Sequence, residues 1–330
     1  MSDMRRRDFI TLLGGVAASG AWPLAAGAQR PRTRVVGFLT NASFQGFAER
    51  LGAFSQGLRQ TGFVEGRDLV LEFHQAEGDD DRLSALAADL VQRRVDVIVT
   101  NGTATAATKT ATSTIPIVLT TGVNPVELGW VASLNRPSGN LTGVTALGDS
   151  LGPKRLELLH EMVPAATDIG VLVHPSNLTN ELQLRALQAS ARTFGLQLHV
   201  LNASTQEDFD SVFASLVTMR AGGLVIATAP IFNNGSNKLA ALSVRSAVPA
   251  IYQYRDFVAG GGLMSLGGDP TEPYRWLGLY TGRILKGEKP ADLPVQQVTK
   301  IQLILNLKTA KLLGLTIPLA LLGRADEVIE

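Results

Sequence analysis

Residues 68–103, DLVLEFHQAEGDDDRLSALAADLVQRRVDVIVTNGT, carry the clearest fold signal in this chain. Two short apolar runs rich in β-branched residues, Asp68–His74 and Val95–Thr100, predict buried strands. Between them, Asp79–Asp81 offers an N-cap and favourable charges to the positive end of a predicted helix over Arg82–Arg93. A strand–helix–strand unit of this kind predicts a parallel sheet with helices on its faces.

The same alternation extends in both directions from this unit. Upstream, Arg34–Thr40 predicts a strand and Phe44–Gln60 predicts a helix that ends at Gly62. Downstream, a helix rich in Thr and Ala precedes a predicted strand over Ile115–Thr120. The pattern then starts again, with predicted strands over Asp168–His174, Gly195–Leu201 and Gly222–Thr228 and predicted helices over Leu178–Phe194 and Gln206–Arg220. Two copies of one plan predict two Rossmann-like α/β lobes; one continuous doubly wound sheet is the alternative.

Three flexible or extended segments are predicted to connect the lobes. They are Asn140–Pro153, the glycine-rich stretch from Gly260 to Pro270, and Pro290–Thr299, with a helix predicted over Pro273–Lys286. We therefore expect a first lobe of residues 29–145 plus about 268–290, and a second lobe of residues 146–267 plus about 291–330.

The composition excludes several classes of function. The chain has 330 residues, 45% hydrophobic and 18% charged, with a formal net charge of +1 and no basic block in its body. Nucleic acid or an acidic membrane surface is therefore not expected as the main partner. The absence of cysteine rules out disulfides, thiolate nucleophiles, Cys-ligated metals and the lipid-modified cysteine of a bacterial lipoprotein.

Residues 1–28 predict a cleaved export signal. Three arginines at positions 5–7 precede Phe9-Ile10 and an apolar run, which ends in the small-residue cleavage pattern Ala26-Gly27-Ala28. This order is typical of a twin-arginine signal and predicts a periplasmic protein that is not lipid-anchored. A cytoplasmic chain with a frayed basic N-terminus is the alternative. No later apolar stretch is long enough to span a bilayer.

Small polar residues and glycines follow the predicted strands of both lobes. In open α/β sheets, ligands bind beyond the C-terminal ends of the strands, near helix N-termini whose free N–H groups can hold an anion. Thr103 is the strongest candidate because the preceding Gly102 lets the backbone approach a ligand closely. The alternative is that these side chains only cap helices. The predicted ligand-binding residues are Asn41, Ser43, Thr103, Thr105, Thr121, Asn124, Ser176, Asn177, Thr228, Tyr252, Tyr254 and Asp269.

No pattern of catalytic or metal-ligating residues accompanies these loops. The four histidines lack the spacing of a metal site, and there is no Gly-x-Ser-x-Gly elbow, phosphate-binding loop or dinucleotide fingerprint after the first strand. The acidic run Asp79–Asp81 could hold a cation, but at a helix start it is interpreted as a solvated cap. We therefore predict a binding protein that is not an enzyme and needs no metal or cofactor.

Several long stretches resemble one known family. They include GFVEGRDLVLEFHQAEGDDDRLSALAADLV (62–91), VDVIVTNGTATAATKTATSTIPIV (95–118), NPVELGWVASLNRPSGNLTGVT (124–145), AIYQYRDFVAGGGLMSLG (250–267) and GRILKGEKPADLPVQQVTK (282–300). Over nearly all of residues 34–330 the chain resembles the substrate-binding proteins of ABC transporters, in the tryptophan/tyrosine-type family of periplasmic binding components.

The resemblance implies a type I periplasmic-binding-protein fold, a flytrap that closes at a hinge on a small molecule. Its partners would be an ABC permease and its ATPase in the inner membrane, and a monomer would suit delivery. The ligand would be aromatic amino acid-like or a carboxylate. Positions matching the family's cleft loops are Asn41, Thr103, Asn124, Asn177 and Tyr254. A ligand-sensing clamp for a signalling partner, or an enzyme in the same cleft, is the alternative.

Two positions depart from the pattern of the resembled family. Related chains often carry Asp where this chain has Ala229, and Tyr where it has Leu266. An Asp at the first position would suit the ammonium group of an amino acid, and a buried ammonium without a partner is costly. The departure therefore predicts a preference for a carboxylate or neutral ligand over an aromatic amino acid.

Overall fold

The computed structural model describes residues 33–41, 47–146, 148–175, 177 and 180–330. The predicted export signal over residues 1–28 and two predicted ligand-binding residues, Ser43 and Ser176, lie outside these ranges. Within them, no helix is both long and apolar enough to cross a membrane.

Strands and helices alternate along the chain as predicted. The first part contains β1 (Arg34–Thr40), α1 (Ala48–Gln60), β2 (Leu69–Gln75), α2 (Asp81–Gln92), β3 (Val97–Asn101), α3 (Ala104–Ala111), β4 (Ile117–Thr121) and β5 (Leu141–Thr145). The middle part contains α4 (Gly152–Met162), β6 (Asp168–Val173), α5 (Asn180–Phe194), β7 (Gln197–Asn202), α6 (Asp208–Thr218), β8 (Gly223–Ile226), α7 (Pro230–Asn234), α8 (Ser236–Arg245), β9 (Ala250–Tyr252), α9 (Arg255–Ala259) and β10 (Met264–Gly267). The last part contains α10 (Glu272–Leu285), β11 (Gln296–Gln297), β12 (Gln302–Asn306), α11 (Leu307–Leu312), α12 (Leu319–Leu322) and β13 (Glu327–Ile329).

The first lobe is built on a parallel sheet with strand order β11-β5-β4-β3-β1-β2. On one face, Val36 and Phe38 of β1 pack with residues of α1 and α10. On the other face, Leu39 and Ile98 pack with residues of α2. Because both faces are covered, the central strands β1, β3 and β4 are apolar over most of their length, as expected for a parallel sheet. The alternative of one continuous sheet is therefore wrong, since a second sheet is present.

Helix α10 returns from the second lobe and crosses α1 at very close range. A Cβ atom at Gly278 would lie 2.0 Å from the carbonyl oxygen of Phe54, and one at Gly57 would lie 2.0 Å from that of Arg275. Glycine is required at both positions because the two backbones touch there. The crossing buries Leu58 and Leu277 and anchors the returning helix to the first sheet.

The second lobe is built on a seven-stranded sheet with the order β13-β12-β10-β9-β8-β6-β7. It repeats the parallel plan of the first sheet, except that β12 runs antiparallel to β10 and β13 pairs parallel to β12. One face packs residues of α4 and α5, including Leu156 and Leu187. The other packs residues of α6 to α9, including Phe209 and Phe257.

The chain passes between the two sheets after β5, after β10 and after β11. Two expectations need correction. Asn140–Pro153 was predicted as a connection, but its first part forms β5, paired with β4. The first-lobe segment predicted to end near residue 290 continues further, because β11 pairs with β5 and Leu293 is buried in the first-lobe core. The last crossing therefore follows Gln297.

Candidate ligand-binding cleft

A cleft lies where the carboxyl ends of the strands of the two sheets face each other. Its larger cavity has a volume of about 360 Å³ and is lined by the loops after β1, β2 and β3 and by those after β6, β7 and β8. A second cavity of about 180 Å³ adjoins it and extends to the loops after β4 and β9. Both cavities share Asn101, Gly102, Asn177, Ala229, Pro230 and Asn234. They therefore form one continuous cleft between the lobes.

The carboxylate of Asp80 stands in the first-lobe wall of the larger cavity. Its Oδ1 atom accepts hydrogen bonds from Asn41 Nδ2 at 2.7 Å and from Thr103 Oγ1 at 2.9 Å. Asn41 is held in turn, because its Oδ1 atom accepts a hydrogen bond from the backbone N–H of Gly78 at 2.9 Å. Two of the predicted ligand-binding residues thus converge on a carboxylate that the sequence interpretation treated as part of a solvated helix cap.

The helix-capping alternative does not apply to Thr103 or Asp80. Each precedes a helix, α3 or α2, but neither side chain makes a capping hydrogen bond. The N–H of Asp81 is instead bound by Asp79 Oδ1 at 3.1 Å. Asn124 precedes a turn and no helix, and its Oδ1 atom accepts a hydrogen bond from the N–H of Val126 at 3.1 Å within that turn.

Asn101 connects the floor of the cleft to the returning helix. Its Oδ1 atom accepts a hydrogen bond from the hydroxyl of Thr40 at 2.9 Å, and its Nδ2 atom donates one to the phenol oxygen of Tyr274 at 3.1 Å. Tyr274 lines the smaller cavity, and burial raises the pKa of its phenol above the usual value. The phenol therefore stays protonated and keeps an uncharged surface towards the cleft.

The second-lobe wall is a network of neutral amides and hydroxyls. Asn177 Nδ2 donates to the carbonyl of Thr228 at 2.7 Å, and the Thr228 hydroxyl donates to Gln253 Oε1 at 2.8 Å. Gln253 Nε2 donates to Asn233 Oδ1 at 3.1 Å, and the Tyr252 phenol donates to the same oxygen. Burial is the main cause that raises the pKa of Tyr252 above its usual value, which keeps that phenol a hydrogen-bond donor.

The cleft is uneven in charge. Among the described residues that line the larger cavity, Glu77 and Asp80 are acidic and none is Lys or Arg. Arg50 lines the smaller cavity, with its guanidinium 5.0 Å from the ring centre of Phe47. No group of three or more His, Asp or Glu side chains able to hold a metal ion occurs in the described part of the chain.

The predicted ligand-binding residues fall into three groups. Asn41, Thr103 and Asn177 line the larger cavity, and Thr121, Thr228 and Tyr254 line the smaller one. Asp269 lines only a small neighbouring cavity of about 20 Å³, and its Oδ1 atom binds the N–H of Thr271. Thr105, Asn124 and Tyr252 do not line these cavities; Thr105 and Tyr252 are fully buried. Direct ligand contact by these three residues stays a prediction.

Several residues that line the cleft were not predicted. They are Arg50, Glu77, Asp80, Asn101, His174, Ser204, Gln206, Asn234 and Gln253. Those that line the larger cavity lie mostly at or after the ends of β2, β3, β6 and β7. The rule that ligands bind beyond strand ends, applied to every strand, would therefore have identified most of them. The loop after β2 was passed over because its aspartates also suit a helix start.

The profile of the family described as "ABC transporter substrate binding protein" matches residues 36–329 of this chain. A protein of Clostridioides difficile (strain R20291) named "Tyrosine-binding protein" is 28% identical over 274 residues, which are 79% of this chain and 75% of that protein. A crystal structure described as the ABC domain in complex with L-Trp from Streptococcus pneumonia superposes with a TM-score of 0.78 at 24% identity, covering 90% of this chain and all 100% of the other.

Another structure, the ligand-free, open form of a substrate-binding protein with adhesive properties from Clostridium difficile, gives a TM-score of 0.60 at 22% identity. It covers 90% of this chain and 99% of the other. These superpositions confirm the two-lobed flytrap fold predicted from the sequence.

Proposed function

Because this chain belongs to the family of ABC transporter substrate-binding proteins, we propose that it captures a small organic molecule between its lobes and delivers it to a membrane permease. The observation that most supports this is the cavity of about 360 Å³, which is walled by strand-end loops of both sheets. A molecule held there contacts both lobes at once. Its binding energy therefore favours the conformation in which the lobes are close together.

Hinge closure follows from how the lobes are connected. The chain passes between the sheets after β5, β10 and β11, and these connections supply the few positions that absorb backbone rotation.

The ligand is proposed to be aromatic amino acid-like or a carboxylate. The smaller cavity supplies surface for an apolar body, since its walls include Phe47, Tyr254 and Tyr274. The larger cavity supplies hydrogen-bonding groups for a polar head, including Thr103 and Asn177. The relative named for tyrosine binding supports a ligand of this size.

No catalytic role is assigned to any residue of the cleft. His174 lines the larger cavity, and its backbone carbonyl accepts hydrogen bonds from the N–H of Asn177 at 3.0 Å and from Nδ2 of Asn180. We propose binding without turnover. A sensing clamp for a signalling partner remains the second candidate, and cross-linking to a permease rather than to a sensor in native membranes would separate the two.

Export to the periplasm is part of the proposal. Cleavage at the predicted signal yields a mature chain that begins at Gln29, which N-terminal sequencing of the protein from a periplasmic fraction checks. A cytoplasmic protein that retains Met1 would contradict this part of the proposal without affecting ligand capture.

The capture mechanism is tested by releasing and identifying the small molecules that copurify with the protein by mass spectrometry. The expected result is a bound organic molecule of aromatic amino acid size, and a decrease in radius of gyration by small-angle scattering when it is returned to stripped protein. Tight binding without any compaction would exclude a clamp, and chemical conversion of the bound molecule would indicate an enzyme.

A further inference from the structure

The acidic groups of the larger cavity all come from the first lobe. Glu77 and Asp80 belong to the loop after β2, whereas the second-lobe lining is neutral or a histidine: His174, Asn177, Ser204, Gln206, Ala229 and Asn234. The Glu77 carboxylate already has partners, because Gln75 Nε2 donates to it at 2.9 Å and Arg82 Nη1 lies 3.7 Å away. Asp80 has no cationic partner among the described residues.

The contacts of Asp80 with the described residues involve only one of its two carboxylate oxygens. Both donors, Asn41 Nδ2 and Thr103 Oγ1, reach Oδ1, and Oδ2 accepts no hydrogen bond from the described residues. The two donors are uncharged, so they orient the carboxylate without neutralising it. Since Asp79 binds the first free N–H of α2, Asp80 is not needed there.

Asp80 also occupies the same cavity as Ala229, from the opposite wall. Ala229 is 1% exposed and brings no charge to the second-lobe side. A carboxylate head group placed in this cavity would meet the like charge of Asp80, and no Lys or Arg in the described lining would offset it. An ammonium group placed there gains a charge-assisted hydrogen bond to Oδ2.

We infer that the cleft selects ligands that carry an ammonium group and that Asp80 is its ion partner. The inference rests on the proposed function and specifies the ligand class of the same site. It also reverses the preference for carboxylate or neutral ligands that Ala229 predicts from sequence. The partner that position 229 lacks is supplied by the first lobe, and the apolar body of the ligand extends towards Phe47 and Tyr254 in the smaller cavity.

The test uses probe series in which an amino acid is compared with the acid that lacks its ammonium group and with the amine that lacks its carboxylate. L-Tyrosine is compared with 3-(4-hydroxyphenyl)propionate and tyramine, L-tryptophan with indole-3-propionate and tryptamine, and L-leucine with 4-methylpentanoate and 3-methylbutylamine, by calorimetric titration of the stripped full-length mature protein. At least one ammonium-bearing member is expected to bind about tenfold or more tightly than its partner without the ammonium group.

The variant that isolates the charge is Asp80→Asn, because an amide oxygen can still accept the hydrogen bonds of Asn41 and Thr103. We expect it to weaken the ammonium-bearing probe about tenfold or more and to leave the acid partner unchanged or tighter. Asp81→Asn is the matched control. Asp81 is an exposed neighbour outside the cavity walls, and its replacement should change neither affinity by more than about twofold.

The inference is overturned if no ammonium-bearing probe binds, if the acids bind as tightly as their amino partners, or if Asp80→Asn and Asp81→Asn have equal effects. Compaction on binding an acid or neutral molecule would then leave the proposed function intact. Absence of any copurified molecule together with absence of any binding in the panel contradicts the proposed function itself. Far-UV circular dichroism of each variant establishes that it is folded.

Discussion

The two walls of the cleft are made by the same structural plan but have different chemistry. The first-lobe wall, after β1, β2 and β3, centres on the Asp80 carboxylate held by Asn41 and Thr103. The second-lobe wall, after β6 to β9, centres on the neutral network of Thr228, Gln253 and Asn233. Parallel strands therefore determine where side chains meet, and the loop residues determine which wall bears the charge.

The lobes also differ in how they are held together. The first lobe is completed by the returning helix α10, which touches α1 through glycines, whereas the second lobe is completed by the returning strand β12, which pairs antiparallel with β10. The acidic side chains that line the cleft belong to the lobe completed by the returning helix. The predictions below test this contrast in order of decreasing expected effect.

The largest effect is expected from Gly278→Ala. The new Cβ would lie 2.0 Å from the Phe54 carbonyl oxygen, so α10 must separate from α1. We expect the free energy of unfolding of the first lobe to fall by about 3 kcal/mol. Guanidinium unfolding followed by fluorescence measures it, since the tryptophans of the described ranges, Trp130 and Trp276, both lie in first-lobe elements or their loops.

Gly52→Ala is the matched control in α1. No atom lies within 4 Å of its would-be Cβ, so alanine should raise stability by about 0.5 kcal/mol through helix propensity. If both glycine variants change the unfolding midpoint equally, the close crossing does not hold the first lobe together.

The next effect is expected from Gln253→Leu in the second wall. Gln253 is 2% exposed and bridges Thr228 and Asn233, so its loss leaves buried polar groups without partners. We expect a loss of about 2 kcal/mol in unfolding free energy. Because this wall carries no charge, affinities for ammonium-bearing and acid probes should fall by the same factor in calorimetric titration.

Gln92→Leu, an exposed change at the end of α2, serves as its control and should leave both stability and affinity nearly unchanged. If Gln253→Leu loses affinity for ammonium probes alone, the second wall also recognises charge. That result would contradict the proposed difference between the two walls.

A smaller effect is expected from Thr103→Val, which removes one of the two donors to Asp80 while keeping the side-chain shape. Affinity for ammonium probes should fall by about 1 kcal/mol, or roughly fivefold, because the carboxylate is less well oriented. Adding Thr103→Val to Asp80→Asn should cost less than the single changes predict, which a double-mutant cycle by calorimetry measures.

Thr110→Val in the same helix is the control, since its hydroxyl donates only to the carbonyl of Ala106 on an exposed face. Additive losses for Thr103→Val and Asp80→Asn would show that Thr103 acts independently of the carboxylate.

The smallest effect concerns the hydrogen bond between Asp168 and His199 at the edge of the second sheet, far from the cleft. Asp168 accepts hydrogen bonds from His199 and from Thr167, both at 2.8 Å. These two bonds hold the pKa of Asp168 below its usual value, and the bond from His199 has the larger effect. The carboxylate thus stabilises the folded state above the pKa of the unfolded chain. This contribution is lost as the pH falls through the lower folded-state pKa.

Asp168→Asn should therefore flatten the acid branch of a plot of unfolding midpoint against pH and leave ligand affinity unchanged. Asp81→Asn should retain the wild-type slope. Identical acid branches for Asp168→Asn and the wild type would show that this exposed pair contributes nothing measurable to stability.

Local elements follow from the sequence with good accuracy. β1 has the predicted bounds Arg34–Thr40, and α1 ends at Gln60 as predicted. β5 was missed because Gly143 weakens its strand pattern. That glycine is needed because a Cβ there would lie 2.0 Å from the Leu119 carbonyl oxygen, a contact between strands that no local pattern reveals.

The amino-acid sequence by itself determined the alternation of elements, the two lobes and the polar strand ends, because hydrophobic periodicity depends on near neighbours along the chain. Only the tertiary structure decided that Asp80 faces Asn41, 39 positions away, and Thr103, 23 positions away, while Thr105, two residues further on, is buried. The physical reason is that these contacts depend on the parallel register of β1, β2 and β3 and on helix packing. No local sequence pattern around these residues indicates that they come into contact.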